Sequence, residues 1–162
     1  VLGLIALLSS MMTEISPREP LIDITYGCYL LIFVLLVSAL CESVFSIGPA
    51  SYDRIIGAIS IYLVLTMAWA FAYALLEIHW PGSFRLEATP LEGINPNLAG
   101  EMLYFSTTTL TTLGYGDITL STEWRLLSGI EAFIGILLVG WTTALLFAVL
   151  QRSLRMAGEE RK

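Results

Sequence analysis

Long stretches without charge constrain this chain more than any other feature of its sequence. Residues 55–76 carry no charge over 22 positions, and residues 126–150 carry only Glu131 over 25 positions. A third stretch, residues 27–47, carries only Glu42 near one end over 21 positions. A helix needs about 20 apolar residues to cross about 30 Å of hydrocarbon. Each stretch reaches that length, so we predict an all-α membrane protein with a spanning helix in each place.

The composition supports a membrane location. Of the 162 residues, 56% are hydrophobic and only 14% are charged. Soluble domains carry about 25% charged residues, and disordered chains are poor in apolar residues, so both classes are excluded. The net charge of −6 has the wrong sign for a nucleic-acid-binding protein. Cys28 and Cys41 are too few for a disulfide framework or a zinc cluster. We therefore expect membrane lipids, and no nucleic acid, as partners.

The first 13 residues are also uncharged, but they are too few to span a membrane. As a helix they would reach only about 20 Å. We expect them to be the tail of a first membrane helix whose beginning is missing from this chain, and an interfacial helix is the alternative. Residues 1–54 would then hold one partial and one full membrane helix.

Basic residues set the predicted orientation. Arg152, Arg155, Arg161 and Lys162 follow the last uncharged stretch. Because short cytoplasmic segments are enriched in Lys and Arg, we expect a basic cytoplasmic tail over residues 152–162. The chain is thus predicted to be a multi-pass protein of the cell membrane with its C-terminus in the cytoplasm.

A shorter uncharged run, residues 102–116, has a different character. It has 15 residues, is rich in threonine and ends in Gly-Tyr-Gly, which does not suit a helix. Irregular backbone is tolerated at membrane depth only where it is buried in protein or lines a wet cavity. This run is therefore predicted to be a re-entrant loop between two spanning helices.

The end of this run is the most informative segment of the chain. It reads Thr111-Thr112-Leu113-Gly114-Tyr115-Gly116-Asp117 and resembles the filter of the potassium channel family, Thr-Val-Gly-Tyr-Gly. Leu113 replaces the valine, which leaves the backbone oxygens in place. The resemblance implies a potassium-channel-type pore domain over residues 55–151, built from two pore helices and a re-entrant loop. Its parts would be an outer helix (55–77), a pore loop (95–118) and an inner helix (125–151).

The chemistry of the segment fits a potassium site. A dehydrated K⁺ ion needs a cage of oxygen atoms in place of its water shell, and backbone carbonyls in a row can supply it. Such a row requires backbone conformations that glycine permits, here at Gly114 and Gly116. We expect K⁺ to bind the carbonyls of Thr112, Leu113, Gly114 and Tyr115, together with the Thr112 hydroxyl. One strand cannot enclose an ion, so four copies are required and three identical subunits are the expected partners.

Neighbouring residues are expected to support the filter. The Tyr115 ring would wedge against Tyr104 and Phe105, two adjacent aromatic residues of the pore helix. Asp117 would lie just outside the filter, bond behind it and attract cations. The pore helix is predicted to begin near Asn95 or Asn97 and to run to about Thr111.

Glu131 is an intramembrane carboxyl, a residue type that usually has a partner or a function. The family's layout places it at filter depth, near the Thr108–Thr111 hydroxyls. The family often has an acid where this chain has Thr108, so Glu131 is a candidate to replace its contact with Asp117. A role in tuning the filter and a structural hydrogen bond are both open.

Two glycines of the inner helix, Gly135 and Gly140, are candidate gating hinges. Close helix packing is the alternative, since small residues let membrane helices approach one another.

The sequence as a whole predicts a potassium-selective channel that conducts passively through a homotetrameric pore. The alternatives are a non-selective monovalent cation channel on the same scaffold and a potassium-transporter subunit. We expect no enzymatic activity, no catalytic residues and no cofactor, with K⁺ as the bound permeant ion.

Overall fold

The computed structural model describes residues 19–45, 51–86, 89–90 and 97–159, together with Gly3. These residues form four helices: α1 (Glu19–Phe45), α2 (Tyr52–His79), α3 (Leu98–Leu110) and α4 (Arg125–Glu159). Three short strands join them: β1 (Phe84–Leu86), β2 (Thr89–Pro90) and β3 (Ile118–Leu120). The predicted partial helix over residues 1–13 lies outside the described residues except for Gly3, and so do Asn95 and residues 160–162.

Three of these helices are long and apolar enough to cross a membrane. The candidate spans are Leu21–Phe45 in α1, Tyr52–His79 in α2 and Arg125–Met156 in α4. They match the three uncharged stretches of the sequence, and the all-α membrane fold is confirmed. Large apolar side chains remain exposed along all three helices, for example Leu35, Leu63 and Phe147. Exposed apolar faces of this kind suit a lipid environment.

The helix boundaries differ from those predicted. The inner helix α4 does not end at residue 151 but continues to Glu159, so most of the predicted tail is helical. The outer helix α2 begins at Tyr52 and α1 begins at Glu19, both earlier than expected. The physical reason is that charged residues at helix ends can remain helical outside the hydrocarbon. Charge counting therefore finds the span, and the full helix is longer.

The extra N-terminal helix α1 packs along α2. In its N-terminal half, the rings of Tyr26, Tyr29 and Phe33 surround Phe71 of α2, with centroid distances of 5.7, 5.0 and 5.6 Å. At the other end of the same interface Val44 is 1% exposed and packs with Ala58 and Ile61 of α2. The N-terminal helix is therefore held on the outer helix α2 at both ends.

A small antiparallel sheet lies at the end of the fold where α2 ends and α4 begins. Strand β1 lies in the middle and pairs with both β2 and β3, in the order β2-β1-β3. The register places Phe84 opposite Leu120 and Leu86 opposite Ile118. The sequence gives no signal for these strands, because strands of two or three residues carry almost no pattern of their own. The sheet links the segment after α2 to the segment after the Gly-Tyr-Gly sequence.

The buried carboxyl of Glu77 fixes this sheet to the end of α2. Glu77 is fully buried, and its two oxygens accept hydrogen bonds from the backbone N–H groups of Gly82 at 2.8 Å and Phe84 at 3.0 Å. Buried polar groups need such partners. Phe84 itself is fully buried and makes edge contacts with the rings of Tyr73 and Phe105. The outer loop is thus tied to the helical core.

Candidate functional site

The short helix α3 positions the Gly-Tyr-Gly segment. One face of α3 is buried against the long helices α2 and α4, as shown by Met102, Ser106 and Leu110, which are 1% exposed or less. These residues are four positions apart, so they share one face of the helix. The opposite face, which includes Tyr104 and Thr107, is exposed in the single chain. The helix ends at Leu110, and the segment of interest follows at once.

Hydrogen bonds from that segment return to the end of α3. The N–H groups of Leu113 and Gly114 both donate to the carbonyl oxygen of Thr108, at 2.9 and 3.0 Å. All described peptide bonds are trans, and in a trans peptide the C=O group points opposite to the N–H group. The carbonyl oxygens of Thr112 and Leu113 therefore point away from α3. Both oxygens therefore point to the same side of the backbone.

The backbone alternates in handedness along the segment. Positive φ angles occur at Thr112 (60°), Gly114 (53°) and Gly116 (82°), and the residues between them do not share this sign. Alternation of this kind turns every second peptide plane over, so successive carbonyls can share one side instead of alternating as in a strand. A β-branched residue at positive φ is a conformational outlier, and such outliers concentrate at functional sites. Thr112 is the one threonine among the described residues in this state.

These carbonyl oxygens have no partner among the described residues. In the part of the chain that the structure describes, the carbonyls of Thr112, Leu113, Gly114 and Tyr115 accept no hydrogen bond. The segment from Thr111 to Asp117 is exposed throughout. The C-terminal end of α3, which carries a partial negative charge, lies directly before it. This arrangement of free oxygens beside a negative helix end can bind cations.

Tyr104 contacts the C-terminal end of the segment. Its ring lies parallel to the ring of Tyr115, with an interplanar angle of 3° and a centroid distance of 6.4 Å. Its hydroxyl donates a hydrogen bond to Oδ2 of Asp117 at 2.8 Å, and Oδ1 of Asp117 accepts from the N–H of Ile118 at 3.0 Å. Tyr104 thus contacts the segment at two points.

This hydrogen bond changes the acidity of both partners. The carboxylate of Asp117 holds the proton on Tyr104 and raises the pKa of Tyr104 to about 12 from its usual 10.0. The hydrogen bond that the Tyr104 hydroxyl donates is the main cause that lowers the pKa of Asp117 below its usual 3.8. The two shifts favour the same state, a neutral tyrosine that donates to an ionised carboxylate.

Phe105 does not join Tyr104 against Tyr115 within the chain, contrary to the expectation from the sequence. Phe105 is 6% exposed and packs edge-on against Tyr73 and Phe84, each at 5.2 Å between centroids. Consecutive residues of a helix point about 100° apart. Tyr104 therefore faces the Gly-Tyr-Gly segment while Phe105 faces the core.

Glu131 has different partners from those expected. It is fully buried in α4, and its Oε2 accepts a hydrogen bond from the Tyr73 hydroxyl at 2.7 Å. Its Oε1 lies 2.5 Å from the Ser106 hydroxyl. The hydroxyls of Thr108 and Thr111 instead bond to backbone carbonyls of their own helix. Asp117 is engaged by Tyr104, so Glu131 does not replace a contact at that residue.

The two inner-helix glycines have different surroundings. A Cβ atom on Gly135 would overlap the carbonyl of Leu110 at the end of α3, whereas a Cβ on Gly140 would meet no described atom within 4 Å. Gly135 therefore permits close packing of α4 on α3, which was the alternative to a hinge. The helix α4 runs through both positions without interruption.

Sequence reasoning missed Tyr73 and Ser106, the two partners of Glu131. A signal for Ser106 was present, because it shares the buried face of α3 with the apolar residues Met102 and Leu110. A lone hydroxyl on a buried face indicates a hydrogen-bond partner. Tyr73 gave no comparable signal, since tyrosine is common in apolar helices.

The fold and the site together define a pore domain: two spanning helices, α2 and α4, enclose a short helix that ends at a row of unpaired carbonyls. A family model described as ion channel matches residues 61–152, which is more than half of the chain. The chain belongs to this ion channel family, and its pore domain is of the potassium-channel type. No curated protein and no solved structure matches the chain.

Proposed function

We propose that four copies of this chain form a potassium-selective channel that conducts K⁺ passively along their common axis. The observation that carries the proposal is the pair of hydrogen bonds from Leu113 and Gly114 to the Thr108 carbonyl. They send the Thr112 and Leu113 carbonyls away from α3, where they are free to bind a dehydrated ion. K⁺ would bind the carbonyls from Thr112 to Tyr115 and the Thr112 hydroxyl, with Gly116 at the outer end.

The surface beside the filter supports assembly with further copies. A groove of about 550 Å³ runs between the filter and α4, and it includes Thr112 and Gly114 on one side. Its other side carries the small residues Ser128, Gly129 and Ala132 of α4. Small residues let helices of another subunit approach closely in a membrane. One filter strand offers oxygens from one direction only, so a closed cage favours a homotetramer.

The tyrosine between the two glycines favours selectivity over general cation conduction. A filter that discriminates between ions must resist collapse around the smaller one, and the parallel rings of Tyr104 and Tyr115 brace the strand from outside. The bond from Tyr104 to Asp117 adds a second brace. A non-selective monovalent cation channel and a potassium-transporter subunit are the alternative outcomes of the test below.

The channel would lie in the cell membrane with the C-terminus in the cytoplasm, as the basic residues at the end of the last span and beyond it suggest. Lipids would cover its exposed apolar faces. In this arrangement Gly140, which has open space around it, is the better site for a gating bend of α4. Gly135 is constrained by the Leu110 carbonyl and serves packing.

Flux through liposomes tests the proposed function. Purified protein is reconstituted into liposomes, and the reversal potential is measured while internal K⁺ is kept constant and external K⁺ is replaced by Na⁺. We expect the reversal potential to follow the K⁺ gradient. A reversal potential that ignores the exchange would indicate the non-selective channel, and flux that requires a second coupled solute would indicate a transporter. Covalent cross-linking in the same liposomes should stop at four subunits.

A further inference from the structure

The Glu131 carboxyl lies where three helices meet. It projects from the inner helix α4 and contacts the Tyr73 hydroxyl of the outer helix α2 at 2.7 Å. It also contacts the Ser106 hydroxyl of the pore helix α3 at 2.5 Å. Ser106 in turn lies 3.0 Å from the carbonyl oxygen of Thr66 in α2. Four groups from three helices therefore form one continuous chain of close oxygen–oxygen contacts.

Counting hydrogens indicates how many protons this chain of contacts requires. There are three contacts, but Tyr73 and Ser106 supply only one hydroxyl hydrogen each. If Glu131 were ionised it could only accept, and the single Ser106 hydrogen would have to serve both Glu131 and Thr66. With a proton on Oε1 every contact holds one hydrogen. Tyr73 then donates to Oε2, Oε1 donates to Ser106, and Ser106 donates to the Thr66 carbonyl.

The surroundings of Glu131 also favour the neutral carboxyl. Glu131 is fully buried, and no basic side chain pairs with it among the described residues. The titratable groups that face it are Tyr73 and Tyr62, both on α2, and Ser106 is the polar group that α3 presents. None of these supplies a positive charge. Burial of an ionised carboxyl without a positive partner is unfavourable.

We propose that Glu131 carries a proton and acts as a positioning residue that ties the inner helix to the pore helix beneath the filter. Ser106, whose hydroxyl accepts the hydrogen bond from the protonated Glu131, lies two residues before Thr108. The Thr108 carbonyl holds the N–H groups of Leu113 and Gly114. The position of the carboxyl is thus transmitted to the filter through half a turn of α3. The effect on conduction rests on the proposed function, whereas the protonation state does not.

Loss of the proton would rearrange the junction. An ionised Glu131 competes with the Thr66 carbonyl for the single hydrogen of Ser106, so the contact between α3 and α2 is weakened. We therefore expect the filter to become less stable at alkaline pH, with shorter channel openings. The titrating group, Glu131, lies on α4 and is separated from the filter. The expected shortening of open times therefore does not require an ion to block the outer mouth of the pore.

Glu131→Gln provides a close mimic of the protonated state. Its amide oxygen accepts from Tyr73, and its NH₂ group donates to Ser106, which can still donate to Thr66. The amide does not titrate. Glu42→Gln, which changes an exposed carboxyl of α1 in the same way, is the matched control.

Infrared spectroscopy of detergent-solubilised protein tests the proton directly and needs no ion flux. At neutral pH we expect the wild type and Glu42→Gln to show the C=O stretching band of a protonated carboxyl. Glu131→Gln should lack it, and the wild type should lose it at alkaline pH. Absence of the band from the wild type at neutral pH, or its persistence in Glu131→Gln, would overturn the proposal.

Single-channel recording over the same pH range tests the positioning role. We expect wild-type open times to shorten as the band disappears, and Glu131→Gln to keep the open times of neutral pH throughout. An unchanged pH response in Glu131→Gln would overturn the positioning role. If Glu131→Gln does not fold, the wild-type infrared titration still decides whether the proton is present. If the liposomes show no K⁺ selectivity, the proposed function fails while the infrared result stands.

Discussion

The hydroxyl of Tyr104 lies 2.8 Å from Oδ2 of Asp117, so the pore helix is joined to the residue that follows the filter. The filter strand leaves α3 at Leu110 and returns to it at this bond. Between the two points the N–H groups of residues 111–114 donate to the carbonyls of Thr107, Thr108 and Thr109. The segment that carries the proposed ion sites is therefore held to α3 at both ends, and loss of this bond frees its C-terminal end.

Tyr104→Phe removes this bond while it keeps the ring that stacks on Tyr115. We expect tetramers to form normally and single-channel open times to shorten severalfold, because the outer end of the filter can rearrange. The measurement is single-channel recording in bilayers at symmetrical K⁺. Tyr29→Phe, at an aromatic contact between α1 and α2, is the control. Equal open times in Tyr104→Phe and the wild type would mean that the bond does not support the filter.

The same bond predicts how the filter responds to pH. The lowered pKa of Asp117 means that its contribution is complete above the usual value of 3.8 and is lost as the pH falls through the lower, folded value. The raised pKa of Tyr104 means that its contribution is complete below 10.0 and is lost as the pH rises through about 12. We expect Tyr104→Phe to shorten open times equally at mildly acidic, neutral and mildly alkaline pH. The comparison is the ratio of Tyr104→Phe to wild-type open times at the same pH, so that a pH effect common to both proteins cancels. A ratio that changes toward acid would contradict the lowered pKa of Asp117, and one that changes toward alkali would contradict the raised pKa of Tyr104.

Close approach of α4 to α3 at Gly135 gives a prediction about stability. A Cβ in Gly135→Ala would overlap the Leu110 carbonyl, which is backbone and cannot turn aside. Overpacking of this kind costs about 1–3 kcal/mol. We expect a lower midpoint of thermal unfolding for Gly135→Ala, measured by the loss of helical circular dichroism in detergent.

Gly140→Ala is the matched control for this experiment. It lies on the same helix with no described atom within 4 Å of the added Cβ. Alanine is favoured over glycine in a helix by about 1 kcal/mol, so Gly140→Ala should be as stable as the wild type or more stable. If Gly140 is the gating bend, Gly140→Ala channels should differ from the wild type in how often and how long they open, while their thermal stability is kept. A Gly135→Ala protein as stable as Gly140→Ala would refute the packing role.

Local sequence signals account for what could be predicted. Spans such as residues 55–76 are recognised by counting uncharged positions, because the thickness of the bilayer sets the required length. The proposed filter segment is recognised because a row of carbonyls that face one side restricts the backbone and hence the residues. Both signals are contained in a few consecutive residues. They do not depend on how the helices pack.

The features that were missed depend on contacts between distant segments. Ser106 and Tyr73 reach Glu131 only because α2, α3 and α4 meet at one point. No local pattern in the sequence indicates that these helices meet there. Strand β1 forms because Phe84 is anchored by Glu77 and faces Leu120 across the sheet. No periodicity can appear in three residues. The face on which Phe105 lies follows from helix geometry once the pore helix is oriented, which the sequence alone did not do.

The last prediction concerns Gly116, whose φ angle of 82° lies in the region that favours glycine. No atom of the described chain lies within 4 Å of a Cβ added there, so the cost of Gly116→Ala is conformational and not steric. An L-residue in the left-handed region costs about 1–2 kcal/mol. A relaxed φ would turn the peptide plane after Tyr115 and remove its carbonyl from the row. We expect Gly116→Ala to assemble normally and to lose K⁺ flux in liposomes.

Gly27→Ala, on α1 and with equally open surroundings, separates this effect from the general consequence of replacing a glycine. Gly27 has no positive φ angle. Its alanine variant should therefore conduct K⁺ like the wild type. Cross-linked tetramer yield is compared in all three proteins, so that loss of flux is not mistaken for loss of assembly. K⁺ flux with unchanged selectivity in Gly116→Ala would show that the row of carbonyls does not extend to Tyr115, and the ion sites would then have to lie nearer to Thr112.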